Sequence, residues 1–383
     1  MPLLKLLSST WHHIQGSLFP QLAEEVGPLT DHHKRVIVVL DVAHIETFVA
    51  TWSGLPGRPP ADRQALARAF VAKAVLGLPH TNQLIDRLIA DKTLRRLCGW
   101  ETRGQIPSES TFSRAFAEFA ASALPARVHE ALIKTTHADR LVGHISRDST
   151  AIEARERPAP KPASKPAPAA PQRKRGRPRK GEAPPPPKAK EPRRLERQGT
   201  MTLSEMLADL PRRCDTGAKL NAKGYLTNWT GYKLHIDTAD GDIPVACLLT
   251  SASLHDSQVA IPLAQITAQR VTNLYDLMDS AYDAPEIRAA SAALGHVPII
   301  DHKTRRGRKA EDAIEARAKR RANYQLAEER RYDERTSSER VNGSLKDNYG
   351  GCDVRVRGHD KVFCHLMFGV LALTAEQLMR FVT

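Results

Sequence analysis

The chain has 383 residues, of which 41% are hydrophobic, so it is long enough for two or three domains with a sizeable core. Its formal net charge of +14 favours an anionic partner, and nucleic acid is the first candidate. The longest apolar runs, such as the one at 36–40, fall far short of the ~20 residues that span a bilayer, so we expect no membrane partner. The five cysteines form no CxxC pair, which argues against a zinc site or a disulfide framework and favours a cytoplasmic location.

Three stretches before residue 135 have helical periodicity, whereas residues 1–60 show no clear pattern. The first stretch, DRQALARAFVAKAVLGL, begins at Asp62, and the second, HTNQLIDRLIADKTLRRLCGW, stops at Gly99. The third, IPSESTFSRAFAEFAASAL, has Ser108 as a start signal and places phenylalanines on one face. We predict an all-α N-terminal domain over 1–135, whose helices either only pack against one another or also bind DNA ends.

The pattern then changes to a strand followed by a basic segment. RLVGHISRDSTAIEA alternates and predicts a strand at 140–154, within a segment, 136–156, that begins a second domain. Between Arg157 and Arg197 the chain has 14 Lys and Arg against 3 Asp and Glu, a net charge of +11, and 12 of its 26 prolines. Because such a segment has almost nothing apolar to bury, we predict a disordered, basic Pro/Ala/Lys-rich insertion over 157–200.

Residues 201–383 alternate between strand and helix patterns, with order resuming at about Met201. NWTGYKLHIDTA and DIPVACLLTSAS predict two strands joined by a hairpin at Asp240-Gly241. Further strands are expected at VTNLYDLMDSAYD and HVPIIDHKTR, and helices at HDSQVAIPLAQIT, APEIRAASAALG, 309–331 and the apolar C-terminal segment. An antiparallel meander followed by alternating strands and helices predicts an α/β fold with a mixed sheet covered by helices.

Three acids stand out by their predicted positions. Asp148 lies within the first strand, Asp279 ends a buried strand, and Glu339 lies on a helix. Carboxylates on core strands are costly unless they are paired or bind a metal, and hard oxygen ligands suit Mg²⁺ or Mn²⁺. The ordinary alternative is that each acid caps or salt-bridges a neighbour. Spacing alone does not rank them against four further acids: Asp237, Asp256, Asp283 and Asp301.

Four residues near the C-terminus are separated by two, three and six positions: Tyr332, Arg335, Glu339 and Lys346. This motif resembles the Y-R-E-K signature of bacterial insertion-sequence transposases of the DDE class, and every position matches. DSTAIEARE around Asp148 and MDSAYDAPEI around Asp279 resemble the first and second aspartate motifs of the same group. LRRLCGW and IPSESTFSRAF resemble the N-terminal helical domain of related transposases.

The resemblance implies an RNase H-like catalytic core with a DDE triad, here Asp148, Asp279 and Glu339, that binds two Mg²⁺ ions or Mn²⁺ in their place. It implies cleavage at the ends of a mobile element and joining of the freed 3′-OH to target DNA. The partner would be double-stranded DNA, bound by a homodimer associated with the nucleoid in a bacterial cytoplasm. Only 60 positions separate Asp279 from Glu339, fewer than in members with an extra β-rich domain. The resemblance therefore does not decide whether the enzyme forms a DNA hairpin at the cut end.

The spacing of the signature also predicts how its members act. On one helix the four residues would share a face that meets the metal site. Arg335 and Lys346 would then hold DNA phosphate, and Tyr332 would contact the DNA backbone or support the acid.

The insertion contains a short motif that resembles an AT-hook: Arg175, Gly176, Arg177 and Pro178. The glycine allows close backbone approach, the proline keeps the segment extended, and the arginines fit the narrow minor groove of A·T tracts. A generic polyanion-binding linker is the alternative. In either case, the insertion would be an arm that holds DNA near the active site.

Two other functions compete with an active transposase. One is a DNA-binding protein without catalysis, such as a repressor derived from a decayed element. The other is a nuclease with an RNase H-like core. The intact triad argues against the first, and the helical domain with the Y-R-E-K match argues against the second.

Overall fold

The computed structural model describes residues 3–50, 60–158, 160, 192–220, 224–301, 314, 317–319, 321–322 and 324–382. A helical region is followed by a mixed sheet, so the predicted combination of an all-α region and an α/β region is confirmed in outline. The AT-hook-like residues Arg175, Gly176, Arg177 and Pro178 lie outside the described residues, as does most of the helix expected at 309–331.

Residues before 138 form helices α1 (Leu3–His13), α2 (Phe19–Val26), α3 (Asp31–Ala43), α4 (Arg63–Val75), α5 (Thr81–Ala90), α6 (Lys92–Cys98), α7 (Glu109–Ala121) and α8 (Leu124–His137). The predicted start of α4 is confirmed, because the Asp62 carboxylate accepts from the backbone N–H groups of Gln64 and Ala65. The predicted stop of α6 is confirmed at Gly99, whose φ of +109° favours glycine. The helices α1 to α3 were not predicted.

The strands are β1 (Leu141–Glu153), β2 (Asp215–Leu220), β3 (Leu226–Ala239), β4 (Ile243–Ser251), β5 (Thr272–Met278) and β6 (Val297–Ile300). β1 is central, since it pairs antiparallel with β3 on one edge and parallel with β5 on the other. β6 continues the sheet parallel to β5, while β2 and β4 both pair antiparallel with β3. The hairpin between β3 and β4 is confirmed, with Gly241 at a φ of +78°.

The remaining helices are α9 (Arg194–Gln198), α10 (Leu203–Asp209), α11 (Ser257–Ala268), α12 (Pro285–Ala293), α13 (Ala327–Asp333), α14 (Thr336–Asn348) and α15 (His359–Met379). Helix α9 begins at Arg194, before the restart predicted at about Met201, and Arg194 forms an ion pair with Asp209 at 2.6 Å. The side chain of Gln198 is also buried and donates to the carbonyl of Gln258 on α11 at 2.8 Å. These contacts fix the end of the insertion to the sheet domain. The strand β2 was not predicted.

The C-terminal helix α15 joins the sheet to the helical region. Its Phe368 ring lies 5.7 Å from Phe70 of α4 and 6.3 Å from Phe116 of α7, in one hydrophobic cluster that also contains sheet residues. Among the described helices, α15 alone is long and apolar enough to cross a membrane, which the short apolar runs did not predict. Of its most apolar window, 83% is buried within the protein, as in a core helix.

Candidate active site

The register of two parallel strands brings two of the predicted acids together. β1 and β5 pair so that Arg147 lies opposite Met278. Asp148 is the next residue on β1, and Asp279 directly follows β5, so the two carboxylates lie side by side at the end of the sheet where β5 stops. The resemblance of the motifs around these two acids to those of DDE transposases implies that the two carboxylates lie together.

Helix α14 covers the face of the sheet that carries Asp148. Its buried face includes Val341 and Leu345, which belong to the main hydrophobic cluster. Asn342, on the same face, donates from Nδ2 to Oδ2 of Asp148 at 3.2 Å. The apolar residues therefore dock the helix, and the asparagine ties it to the first acid.

Asp148 lies in an environment that opposes its negative charge. Its pKa is raised to about 6, mainly by burial and in part by the carboxylate of Asp279. The backbone N–H of Ser149 and the guanidinium of Arg335 act in the opposite direction but do not cancel the rise. An added cation at this point would favour the ionised carboxylate.

Glu339 lies on the same helix as Asn342, but its carboxylate is paired with Arg335. It lies one turn before Asn342, its side chain is 56% exposed, and its carboxylate accepts from Arg335 at 2.7 Å. Among the described residues, no three His, Cys, Asp or Glu side chains are grouped as ligands for one metal ion. In this arrangement Glu339 therefore does not join Asp148 and Asp279.

The donor chemistry of the two aspartates fits a divalent cation. Carboxylate oxygens are the ligands that Mg²⁺ and Mn²⁺ prefer, and the raised pKa of Asp148 comes first from burial and then from the carboxylate of Asp279, both of which a bound cation would oppose. Asp148 and Asp279 would hold the ion. Glu339 would complete the set on release from Arg335.

The prediction that the Y-R-E-K residues lie on one helix is wrong. Tyr332 belongs to α13, whereas Glu339 and Lys346 belong to α14, and Arg335 caps the junction. The junction is tighter than an α-helix, since the N–H of Arg335 donates to the carbonyl of Tyr332, three residues back. The Ser146 hydroxyl of β1 also donates to the carbonyl of Glu334 at 3.4 Å.

Two of the four signature residues, Tyr332 and Arg335, nevertheless lie close enough to the aspartates to interact with them electrostatically. The guanidinium of Arg335 lies 5.8 Å from the centre of the Tyr332 ring. Burial, together with the carboxylates of Asp301 and Asp279, raises the pKa of Tyr332 despite Arg335. Lys346 lies two turns further along α14 than Glu339 and is partly exposed.

The four competing acids have other surroundings. Asp237 is fully buried in an ion pair with Arg147, and Asp256 pairs with Lys233 at 2.9 Å. Asp283 pairs with Arg288 at 3.0 Å. Asp301 follows β6, where its backbone N–H donates to the carbonyl of Met278, so it borders the site.

The sequence reasoning missed Tyr282, which follows Asp279 by three residues. The side chain is 1% exposed, and its hydroxyl has no hydrogen-bond partner among the described residues. Burial and the carboxylates of Asp256 and Asp148 raise its pKa well above the ordinary value. A tyrosine three residues after an acid at a strand end was the available signal.

Comparisons with known proteins match two parts of the chain. A family model described as a transposase DDE domain matches residues 209–375, which include Asp279 and Glu339 but not Asp148. A second model, described as a transposase domain (DUF772), matches residues 23–118 of the helical region. No curated protein and no solved structure matches the chain.

The matched domains carry general properties of their families. A DDE transposase domain implies DNA substrates and dependence on a divalent metal, and the mixed sheet is consistent with an RNase H-like core. The two matches, one in the helical region and one over the sheet from β2 to β6, support an insertion-sequence transposase.

Proposed function

We propose that the chain cleaves DNA at the ends of an insertion sequence and joins the freed 3′-OH to target DNA, with Asp148, Asp279 and Glu339 as catalytic residues. The observation that carries this is the strand register, which sets Asp148 beside Asp279 at the end of β5. The tie between α14 and Asp148 through Asn342 adds the helix that carries Glu339.

The three acids would hold two Mg²⁺ ions, which supply activation of the attacking oxygen and stabilisation of the leaving oxygen in phosphodiester chemistry. Arg335 has two roles in the proposal. Without DNA it neutralises Glu339, and with DNA it exchanges that carboxylate for a phosphate, which releases Glu339 toward the aspartates. Tyr332 supports Arg335 through its ring, and Lys346 holds a phosphate further along α14.

The proposal also covers the transposase group, the DNA-binding regions, the oligomeric state and the location of the enzyme. The enzyme would belong to the Y-R-E-K group, whose signature Tyr332, Arg335, Glu339 and Lys346 match, and the helical region would bind transposon ends as one half of a homodimer. The insertion with its AT-hook-like motif would retain DNA near the acids. The enzyme would work in a bacterial cytoplasm, at the nucleoid.

The test is strand cleavage of labelled duplexes that span the borders of the element, with Mg²⁺ present. We expect wild type to cut, and Asp148→Asn, Asp279→Asn and Glu339→Gln to bind the duplex without cutting. Asp283→Asn is the matched control, because it removes a carboxylate of a neighbouring ion pair, and it should cut like wild type. Variants of the triad that still cut would refute the assignment, and wild type that binds without cutting would favour the non-catalytic alternative.

A second readout needs no DNA. At ten times its Kd, a divalent cation that binds only the folded protein stabilises it by about 1.4 kcal/mol. Mg²⁺ or Mn²⁺ should therefore raise the Tm of wild type and of Asp283→Asn, but not that of Asp148→Asn. An equal shift in all three proteins would place the cation elsewhere.

A further inference from the structure

A groove at the first turn of α15 is lined by basic residues. It has a volume of about 380 Å³ and lies between α7, the chain just after β1, and the loop that leads into α15. Its lining residues are Ser113, Phe116, Arg155, Arg355, Val356, Arg357 and Lys361, with no acid among them. We call it the basic groove.

The cations of the basic groove are largely unneutralised. Arg155, Arg357 and Lys361 are exposed, and none of them forms an ion pair with a described residue. Arg355 has one partner, Asp353, at 3.4 Å, and its side chain is 47% exposed. Four like charges in one concave site create a field that attracts an anion of extended shape.

The walls of the groove are held in place before any ligand binds. Arg357 donates from Nε to the carbonyl of Arg155 at 3.0 Å. Glu156 accepts from the N–H of Gly358 at 2.8 Å and from the hydroxyl of Tyr232 at 3.0 Å. The end of β1 and the loop before α15 are therefore joined, and the cations need little reorganisation to bind.

The lining chemistry favours phosphates over bases. Phe116 is the groove's one aromatic residue and is buried, so the described surface offers no ring on which a base could stack. Guanidinium and ammonium groups bind phosphate oxygens without reading sequence. The highly basic insertion also begins here, because Arg155 and Arg157 lead directly into it.

The groove lies within reach of a duplex held at the candidate active site. Arg155 follows Asp148 by seven positions, and an extended chain of that length spans at most about 25 Å. Along DNA this corresponds to no more than about seven base pairs, at 3.4 Å for each pair.

We infer that the basic groove binds the sugar-phosphate backbone of duplex DNA, within about seven base pairs of the bond that the acids would cleave. The inference rests on the proposed function for its partner and for the position of the cut. It assigns a contact that none of the sequence motifs predicted.

The experiment measures binding of the full-length chain to a fluorescent 30-base-pair duplex of arbitrary sequence, in EDTA, over a range of salt concentrations. The variant is Arg155→Gln with Lys361→Gln, two exposed residues whose side chains form no hydrogen bond or ion pair with the part of the chain that the structure describes. The control is Arg212→Gln with Arg380→Gln, which makes the same charge change at exposed positions before β2 and after α15, outside the groove, the helical region and the insertion.

We expect roughly tenfold weaker binding by the groove variant at moderate salt, and a salt slope lower by about two, since each phosphate contact contributes about 0.9. The control should keep the wild-type slope. Equal slopes in groove variant and control would overturn the inference. So would a loss of binding to an acidic polypeptide with unchanged DNA binding, which would assign the groove to a protein partner.

Because EDTA prevents metal-dependent cleavage, this result does not depend on catalysis. A chain that never cuts DNA, yet loses salt slope only in the groove variant, would refute the proposed function and retain the groove. In duplexes with a defined cut, neutral methylphosphonates should weaken wild-type binding most within about seven base pairs of that cut. Effects confined to greater distances would overturn the placement.

Discussion

Arg147 and Asp148 are neighbours on β1, but their side chains lie on opposite faces of the sheet in opposite electrostatic situations. Arg147 is buried against the carboxylate of Asp237, with two contacts at 2.6 and 2.8 Å, and Thr267 donates to the same carboxylate. Burial opposes the charge on Arg147, but the carboxylates of Asp237 and Asp276 outweigh it and raise its pKa. This face is neutralised within the protein itself.

Asp148 has no such partner. Its nearest acid, Asp279, adds to the cost of its charge, and Arg335 is shared with Glu339. A buried charge that is paired supports the fold, whereas a charge left against a like charge needs a ligand to offset it. One strand thus carries a structural ion pair and a candidate functional site, distinguished by whether each charge is satisfied by the chain.

The largest effect is expected for Asp237→Asn, which tests whether the charge of Arg147 depends on its partner. It leaves the Arg147 guanidinium buried without its charged partner, so we expect the free energy of unfolding to fall by about 3–5 kcal/mol. Urea unfolding measures it, and Asp283→Asn is the control, because its partly exposed pair with Arg288 is worth at most about 1 kcal/mol. Similar small losses in both variants would show that Asp237 is no more important to the fold than a surface acid.

For Asp148→Asn we expect the free energy of unfolding to rise rather than fall. An ordinary aspartate has a pKa near 3.9, whereas that of Asp148 in the folded protein is about 6. As pH rises through this window, the unfolded chain loses its proton first, so the folded state is progressively disfavoured. Without DNA or metal, the asparagine variant should be more stable than wild type by about 1–3 kcal/mol at pH 7.5, and nearly equal to it at pH 4.

Unfolding at both pH values measures this difference. Asn342 still has an acceptor in the variant, since the asparagine keeps one side-chain oxygen. A stability difference that is the same at pH 4 and pH 7.5 would show that the charge of Asp148 is not its cause.

The sequence predicted elements with local patterns and missed relations that depend on distant pairing. Strand β1 and helix α11 were predicted because alternation and helical periodicity are local. The short β2 contains a glycine and is defined by pairing with β3, so its own residues indicate little. Helix α3 contains the run VIVVL, which suits a strand by propensity, and it is helical because packing buries most of that run.

At the candidate site, too, the residues could be predicted from local motifs, but their relative placement could not. Motif resemblance selected Asp148, Asp279 and Glu339, but their relative placement depends on the register of β1 with β5 and on the docking of α14. Nothing in the spacing distinguishes Arg147 from Asp148, since the partner of Arg147 lies ninety positions away. The pairing of Glu339 with Arg335 has the local i,i+4 spacing of one helical turn, whereas the break between α13 and α14 has no signal in the spacing.

The smallest expected effect concerns the hydroxyl of Tyr282, which is buried near the unsatisfied acids without a described partner. Tyr282→Phe removes a polar group that has no hydrogen bond to lose, so the free energy of unfolding should stay unchanged or rise by about 1 kcal/mol. Tyr349→Phe is the matched control, because its buried hydroxyl donates to Glu376 at 2.8 Å, and it should lose about 1 kcal/mol. Urea unfolding of both variants measures the contrast. If Tyr282→Phe loses as much free energy of unfolding as the control, the Tyr282 hydroxyl is hydrogen-bonded within the folded chain. Its role is then structural, like that of the Arg147–Asp237 pair. If Tyr282→Phe loses nothing, the hydroxyl is free to contact a ligand at the acids, as the unpaired state of Asp148 leads us to expect.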